Sequence, residues 1–304
     1  MSAQGYQLKK SHESHPKRKY LFEDFISEGD ENFLCFEWIK KDNCKVLLSV
    51  DIDSENRAIS LPHSPFGGVI LLEEISSELL DRFLERVIEN LQHKGVKNLE
   101  IIQAPKPYEP HADLIGYLLH KKGFKVDRIL NHQFFVGKKK IKGWLKEKAP
   151  KILKKAKNQG LKVNSSSINN FDFLNKIAVW NKSRGYDENL DQTQVIQQVS
   201  LFPDWYFEIS LYQQERLVGS ALAVKLTEDS IYYYKSAIDP DAKIKHGGDI
   251  LVTQLFKLAA ELKVNFIDLG SSDRVTSANH KLIFFKSRFS NDQYNKVTWS
   301  KDIL

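Results

Sequence analysis

Short apolar-rich runs at 33–40, 44–51 and 57–62 predict three strands. The turn formers Asp42-Asn43 and Asp53-Ser54-Glu55-Asn56 separate them. A change of period follows. Leu79, Leu80, Phe83, Leu84, Val87, Ile88 and Leu91 recur at helical spacing, so 76–93 predicts a helix capped by Ser76 and ended by Gly95. A short apolar strand at 98–102, a helix at 113–122 stopped by Gly123, and a strand or pair of strands at 124–136 complete the first half. Residues 1–19 read as a loose tail and 20–28 as a short helix. The hairpin pairs Ile39 with Cys44, which sets Cys35 against Leu48 and keeps the two thiols apart.

The second half begins with an amphipathic helix bearing Leu145, Ala149, Ile152, Leu153 and Ala156 on one face, closed by Gly160. Pro150 fits only within the first turn of a helix. Helices at 168–184 and 193–199 precede strands at 205–212, 216–226 and 230–238, joined by hairpin-sized connections. A helix from Gly247-Gly248 to 262, a strand at 266–269, a helix at 278–288 and a strand at 293–299 follow.

The halves repeat one order of parts: antiparallel strands, a Gly-Gly loop (67–68 and 247–248), a long helix, a short apolar strand, a second helix and a closing strand. The expected fold is α/β, a mixed sheet with α+β character, in two tandem domains, 1–140 and 141–304. An all-α bundle, an all-β sandwich and a doubly wound Rossmann domain do not give this order.

Charge changes the picture in one place. The chain of 304 residues carries a net +6, yet 138–157 alone holds ten lysines and one acid, +9, so the remainder is −3. Such a segment suits phosphates of a nucleotide, a tRNA or a membrane surface, and equally a solvated helix. Val69-Ile70-Leu71-Leu72, the longest apolar stretch, is too short to span a bilayer, and 1–19 lacks the apolar core of a signal peptide. Two cysteines make no disulfide scaffold, and a cytoplasmic location is expected.

Several segments together resemble the tandem-GNAT acyltransferases, the group that includes FemAB-like peptidoglycan bridge transferases. They are Ser64-Pro65-Phe66-Gly67-Gly68-Val69, the basic linker from Trp144 to Val163 ending Lys154-Lys155-Ala156-Lys157-Asn158-Gln159-Gly160-Leu161-Lys162-Val163, Tyr232-Tyr233-Tyr234, Ile267-Asp268-Leu269-Gly270, and Phe285-Lys286-Ser287-Arg288-Phe289. The likeness spans about residues 20–300. It departs at Gln103-Ala104-Pro105, where users of aminoacyl-tRNA carry an acid before the proline, and in lacking a helical-hairpin arm.

Two GNAT-like domains are what the resemblance implies, with the acyl donor on the second. Lys243, Lys245, His246, Gly247 and Gly248 stand where the cofactor pyrophosphate would meet a helix N-terminus. Acyl transfer to an amine needs a proton acceptor and a group to protonate the leaving thiolate. Tyr234 and Asp268 are candidates for this chemistry. Lys286 is implied to stabilise negative charge, from the cleft rim, with Phe285 and Phe289 packed inward. Ser64, Phe66, Gly67, Gly68 and His280 are candidate substrate contacts. No metal-ligand spacing, Walker loop or Gly-x-Ser-x-Gly elbow occurs.

The expected activity is N-acyltransfer from acetyl-CoA or another acyl-CoA, without a metal, to an amine acceptor in the cleft between the domains. The acceptor would be a small molecule or a cell-envelope precursor. The alternatives are an aminoacyl-tRNA donor acting on a cell-wall precursor, and a non-catalytic GNAT-like binding protein.

Overall fold

The computed structural model describes residues 5–15, 31–62, 64–186, 191–274 and 277–304. The helix expected at 20–28 lies outside them. The chain divides into two compact units, Met1–Leu130 with Tyr294–Leu304, and Asn131–Gln293. The division expected at 140 falls instead at Leu130, and residues 294–304 return to the first unit. Strand pairing is the reason, as described below.

In the first unit the strands are β1 (Tyr6–Ser11), β2 (Phe33–Lys40), β3 (Asn43–Ile52), β4 (Arg57–Ile59), β5 (Ile70–Leu71), β6 (Asn98–Gln103) and the end of β13 (Asp292–Asp302). Their order is β1-β2-β3-β4-β6-β13, with β5 beside β3. Helices α1 (Ser77–His93) and α2 (Ala112–Lys121) bury Phe83, Val87 and Leu119 against Leu34, Phe36 and Leu48 of the sheet. The Ser76 hydroxyl caps α1 by accepting from Leu79 N. Val297 to Asp302 pair antiparallel with Gln103 to Asn98, which ties residues 294–304 to this unit.

Two local expectations change here. The supposed tail contains β1, an edge strand in register with β2 from Tyr6–Lys40 to Ser11–Cys35. Ile39 does face Cys44, but a bulge beyond Trp38 sets Cys35 against Ser49 rather than Leu48. Both cysteines are buried as thiols.

The second unit runs β7-β12-β11-β10-β9-β8. Its strands are the end of β7 (Lys125–Val136), β8 (Leu161–Ser167), β9 (Tyr206–Gln213), β10 (Arg216–Thr227), β11 (Ser230–Ile238) and β12 (Phe266–Ser271). Its helices are α3 (Lys138–Glu147), α4 (Ala149–Lys157), α5 (Asp172–Ser183), α6 (Gln192–Leu201), α7 (Gly247–Glu261) and α8 (His280–Ser287). The single basic helix expected from the pattern is two, because Pro150 opens α4 in its first turn. Residues 161–167 form a strand, so the next helix starts at Asp172 rather than 168.

One face of this sheet, with Ile209, Leu211, Val218, Ala221 and Ile231, packs on α7 through Ile250, Leu251 and Leu255. Trp144 of α3 stacks on Phe256 of α7 at 4.1 Å. Among the described residues no helix is long and apolar enough to cross a membrane.

Candidate active site

In the second unit β11 and β12 run parallel but pair only over 230–232 and 266–268. Beyond that point β12 turns at Gly270 (φ 73°) while β11 continues to Ile238. Adjacent parallel strands that part in this way open a wedge at their C-terminal ends, where ligands of open α/β sheets bind. Tyr234 marks the same place on β11. The register steps from Leu222–Lys235 to Ala223–Tyr233, so Tyr234 is the extra residue of a β-bulge, a device that re-aims a side chain.

Asp268 lies opposite Tyr232 at the point of parting and is fully buried. A carboxylate with no access to water needs donors, and the chain supplies them. Gly270 N donates to Oδ1 at 2.7 Å, and Nδ1 of His132, on β7, stands 3.2 and 3.1 Å from the two oxygens. The carboxylate accepts, so Nδ1 donates its hydrogen and Nε2 is left at the other side of the ring. His132 is 1% exposed and stacks on Tyr232 (6.3 Å, 12°) and Phe134 (6.1 Å, 26°). Burial and the Asp268 charge hold the Tyr232 phenol well above its ordinary pKa.

Lys286 does not sit at a rim. It is 8% exposed, and Nζ donates to Ser271 O at 2.5 Å. Burial draws its pKa down to about 8, against the pull of Asp268 and Asp273 in the other direction. Phe289 is buried as expected and Phe285 partly so, with rings 5.4 Å apart. The structure therefore groups Asp268 and Lys286 with His132, and places Tyr234 one bulge along β11, 5.8 Å from the Tyr232 ring.

The sequence reading missed His132. Its only signal was a histidine inside a predicted strand, and its partner lies 136 positions away. His280 is exposed at the start of α8 and is not among the side chains that the structure groups here.

The turn before α7 has a different character. His246 adopts a left-handed conformation (φ 62°, ψ 24°) as N-cap, and Lys243 and Lys245 are exposed. Gln159, after α4, holds the turn by both backbone polar groups of one residue. It accepts from Lys245 N at 2.8 Å and donates to Lys245 O at 3.1 Å. A Cβ at Gly247 would lie 2.8 Å from Ile238 Cδ1, and one at Gly248 would lie 3.1 Å from Phe285 Cζ. Packing within the unit therefore already accounts for both glycines. Asp249, in the first turn, pairs with Arg288 at 2.8 Å and faces His246 Nδ1 at 3.4 Å.

In the first unit the Ser64–Gly68 loop is pinned from within. The Gln103 amide accepts from Val69 N (3.0 Å) and donates to Val69 O (3.1 Å). Buried Glu109 accepts from Leu71 N (3.1 Å), and the Ser64 hydroxyl donates to Phe66 O (2.7 Å). Phe66 is 1% exposed, packed on Tyr108 at 4.4 Å, so its side chain is core rather than a substrate contact. Gly67 lies against Leu61, and Gly68 holds φ 83° beneath Gln103. Gln103, two residues before Pro105, acts as a clamp, and Ala104 stands where the resemblance leads one to look for an acid.

One grouping was not visible in the sequence spacing. His15, Glu37 and Cys44 bring potential ligand atoms within 4.8 Å of one another. Glu37 also lies 3.9 Å from Lys9, and the Cys44 thiol donates to Val46 O at 3.3 Å.

No protein-family model and no curated protein matches the chain. Solved structures do. FemX aligns with a TM-score of 0.63 at 10% identity, over 88% of this chain and 87% of that one. The C-terminal (DUF2156) domain of a putative lysylphosphatidylglycerol synthetase from Agrobacterium fabrum gives 0.58 at 10% identity, over 94% and 89%. A tandem GNAT protein from the clavulanic acid biosynthesis pathway gives 0.52 at 10% identity, over 93% and 87%. Identity this low speaks for the fold alone. With the repeated part order and the parted strands it is enough to conclude that the chain folds as two GNAT-like units in tandem, the FemAB-like architecture.

Proposed function

We propose that the protein is an N-acyltransferase that moves an acyl group from an acyl-CoA to an amine, with the reaction at the wedge of the second unit. The observation that carries this reading is the buried His132–Asp268 pair, with Lys286 beside it, at the point where β11 and β12 part. Buried ionisable groups cost stability and concentrate at sites of chemistry.

The amine arrives as an ammonium and must lose a proton before its nitrogen can attack the thioester carbonyl. His132 Nε2, oriented through Asp268, takes that proton. As the C–N bond forms, charge collects on the carbonyl oxygen, and the Lys286 ammonium stabilises it. The C–S bond then breaks, and Tyr234 delivers a proton to the leaving thiolate. The turn of Lys243, Lys245, His246, Gly247 and Gly248 offers positive charge and the dipole of α7 to the donor's phosphates. His280, Ser64, Gly67 and Gly68 are left without a role in this step.

Calorimetry with acetyl-CoA and longer acyl-CoAs tests the donor site. Binding is expected for the wild type and is expected to be lost in Lys243→Glu/Gly248→Glu. Mass spectrometry of a panel of amines then tests transfer. Absence of acyl-CoA binding, or product from aminoacyl-tRNA alone, overturns the donor assignment. Absence of product from every donor leaves a non-catalytic binding protein.

A further inference from the structure

All ten lysines between Lys138 and Lys157 are exposed. The two helices that carry them are amphipathic in the same sense. Ile141, Trp144 and Leu145 of α3 and Ile152 and Ala156 of α4 turn inward onto the core around α7. At 3.6 residues per turn, Lys139, Lys142 and Lys146 form an outward stripe on α3, and Lys151 and Lys155 form one on α4 that its N-cap Lys148 extends. Glu147 is the one acid in the segment. It is bonded to Lys148 at 2.7 Å, and the flanking lysines hold its carboxyl below its ordinary pKa. Gln159 ties the end of α4 to Lys245, so the basic surface reaches the turn before α7.

Each helix spans roughly 15 Å, far more than one phosphate needs. The segment is +9 and the rest of the chain −3, so a negative surface orients the molecule with this strip toward it. We propose that the α3–α4 strip is a docking surface for an anionic lipid bilayer, held by charge without insertion.

Three observations favour a bilayer over nucleic acid. The segment contains no arginine, hence no planar fork for bidentate phosphate or base-edge recognition. Its one aromatic residue, Trp144, is stacked inward on Phe256 and presents no platform for bases. A diffuse sheet of headgroups asks only for point charges, which lysine supplies. Deep insertion is disfavoured because Ile141 and Ala156 are buried against the core around α7 and Trp144, Leu145 and Ile152 pack partly on it.

The proposal is independent of the acyl-transfer reading, since vesicle binding needs neither donor nor acceptor. The test is flotation of the full chain with vesicles of phosphatidylcholine alone, or with about a third phosphatidylglycerol, at low and high salt. At least tenfold stronger partition onto the anionic vesicles is expected, abolished by high salt. It should also be abolished in the quintuple variant Lys139→Glu, Lys142→Glu, Lys146→Glu, Lys151→Glu, Lys155→Glu. Reversal of five exposed lysines elsewhere (Lys10, Lys41, Lys94, Lys97, Lys125) should leave most of the partition intact, and circular dichroism establishes that both variants fold. Equal partition onto neutral vesicles, or insensitivity to reversal of the strip, overturns the proposal. So does a short double-stranded RNA that binds tenfold tighter than the vesicles with the same variant sensitivity. Should the quintuple variant fail to fold, Lys142→Glu/Lys151→Glu is expected to weaken partition at least threefold, and no change overturns the proposal.

Discussion

Lys286 gives up nearly all its water on folding, and the cost can be read from its ionisation. The distance from an ordinary 10.5 to about 8 corresponds to about 3 kcal/mol between protonation states. The unfolded chain binds the proton up to 10.5 and the folded chain only to about 8. This group therefore weakens the fold below pH 8, and stability rises between pH 8 and 10.5. Lys286→Met keeps the volume and removes the charge, so it should melt higher at pH 7, by about 2 °C or more, while turnover falls on the order of 10²-fold. A thermal melt and an initial-rate assay check both. If the charged form is the one that works, kcat/KM should decline as pH rises through about 8, and Lys286→Arg should remove the decline. His132→Ala should cost about 3 kcal/mol or more in a denaturant titration, because it takes one donor from a carboxylate buried in the interior. Adding Asp268→Asn should return part of that loss. Asp268 and Lys286 were legible as candidates because they sit in short motifs. His132 was not, since nothing local distinguishes it and its partner is set by the β7–β12 register.

At the scale of elements, periodicity located whatever buries a regular face. Residues 33–40 and 230–238 are strands with the expected bounds, and the α1 pattern marks the helix that the structure contains. The strands that escaped notice are those whose pairing comes from a neighbour. β8 reads Leu-Lys-Val-Asn-Ser-Ser-Ser, a turn-forming composition, yet it runs in register with β9 from Leu161–Gln213 to Ser167–Phe207. β1 is polar apart from Tyr6 and Leu8 and exists because β2 offers it an edge. Glycine roles were similarly half visible. Gly68 and Gly95 share a positive φ, but a Cβ at Gly68 would fall 2.5 Å from Gln103 Oε1, whereas Gly95 faces open space. Gly95→Ala should therefore cost about 1 kcal/mol of conformational strain, and Gly68→Ala at least about 1 kcal/mol more, by equilibrium unfolding.

For the molecule as a whole, the repeat of parts showed two units, but not which residues complete the first. Val297 to Asp302 form the ladder partner of β6, Gln92 donates to Ile303 O, and Asn98 bonds Ser300 (3.1 Å) and Asp302 (2.9 Å). A truncation at Gln293 should therefore lower the unfolding midpoint of the first unit and leave the second near its own. Hydrogen exchange resolved by peptide distinguishes the two outcomes. No periodicity argument reaches this pairing, because a strand's hydrophobic pattern does not name its partner.

That borrowed strand sets an order of events on the ribosome. At roughly 5–20 residues per second, the 163 residues between Leu130 and Tyr294 take on the order of 10–30 s to synthesise. Through that interval β6 waits with one edge unfilled, while Asn131–Gln293 emerges with every one of its own ladders available. Vectorial synthesis should thus complete the later unit first and leave the earlier one as the chaperone client. A nascent chain in which an unstructured linker replaces 294–304 and holds residue 293 just clear of the exit tunnel should show a protease-resistant second unit and a still-cleavable first.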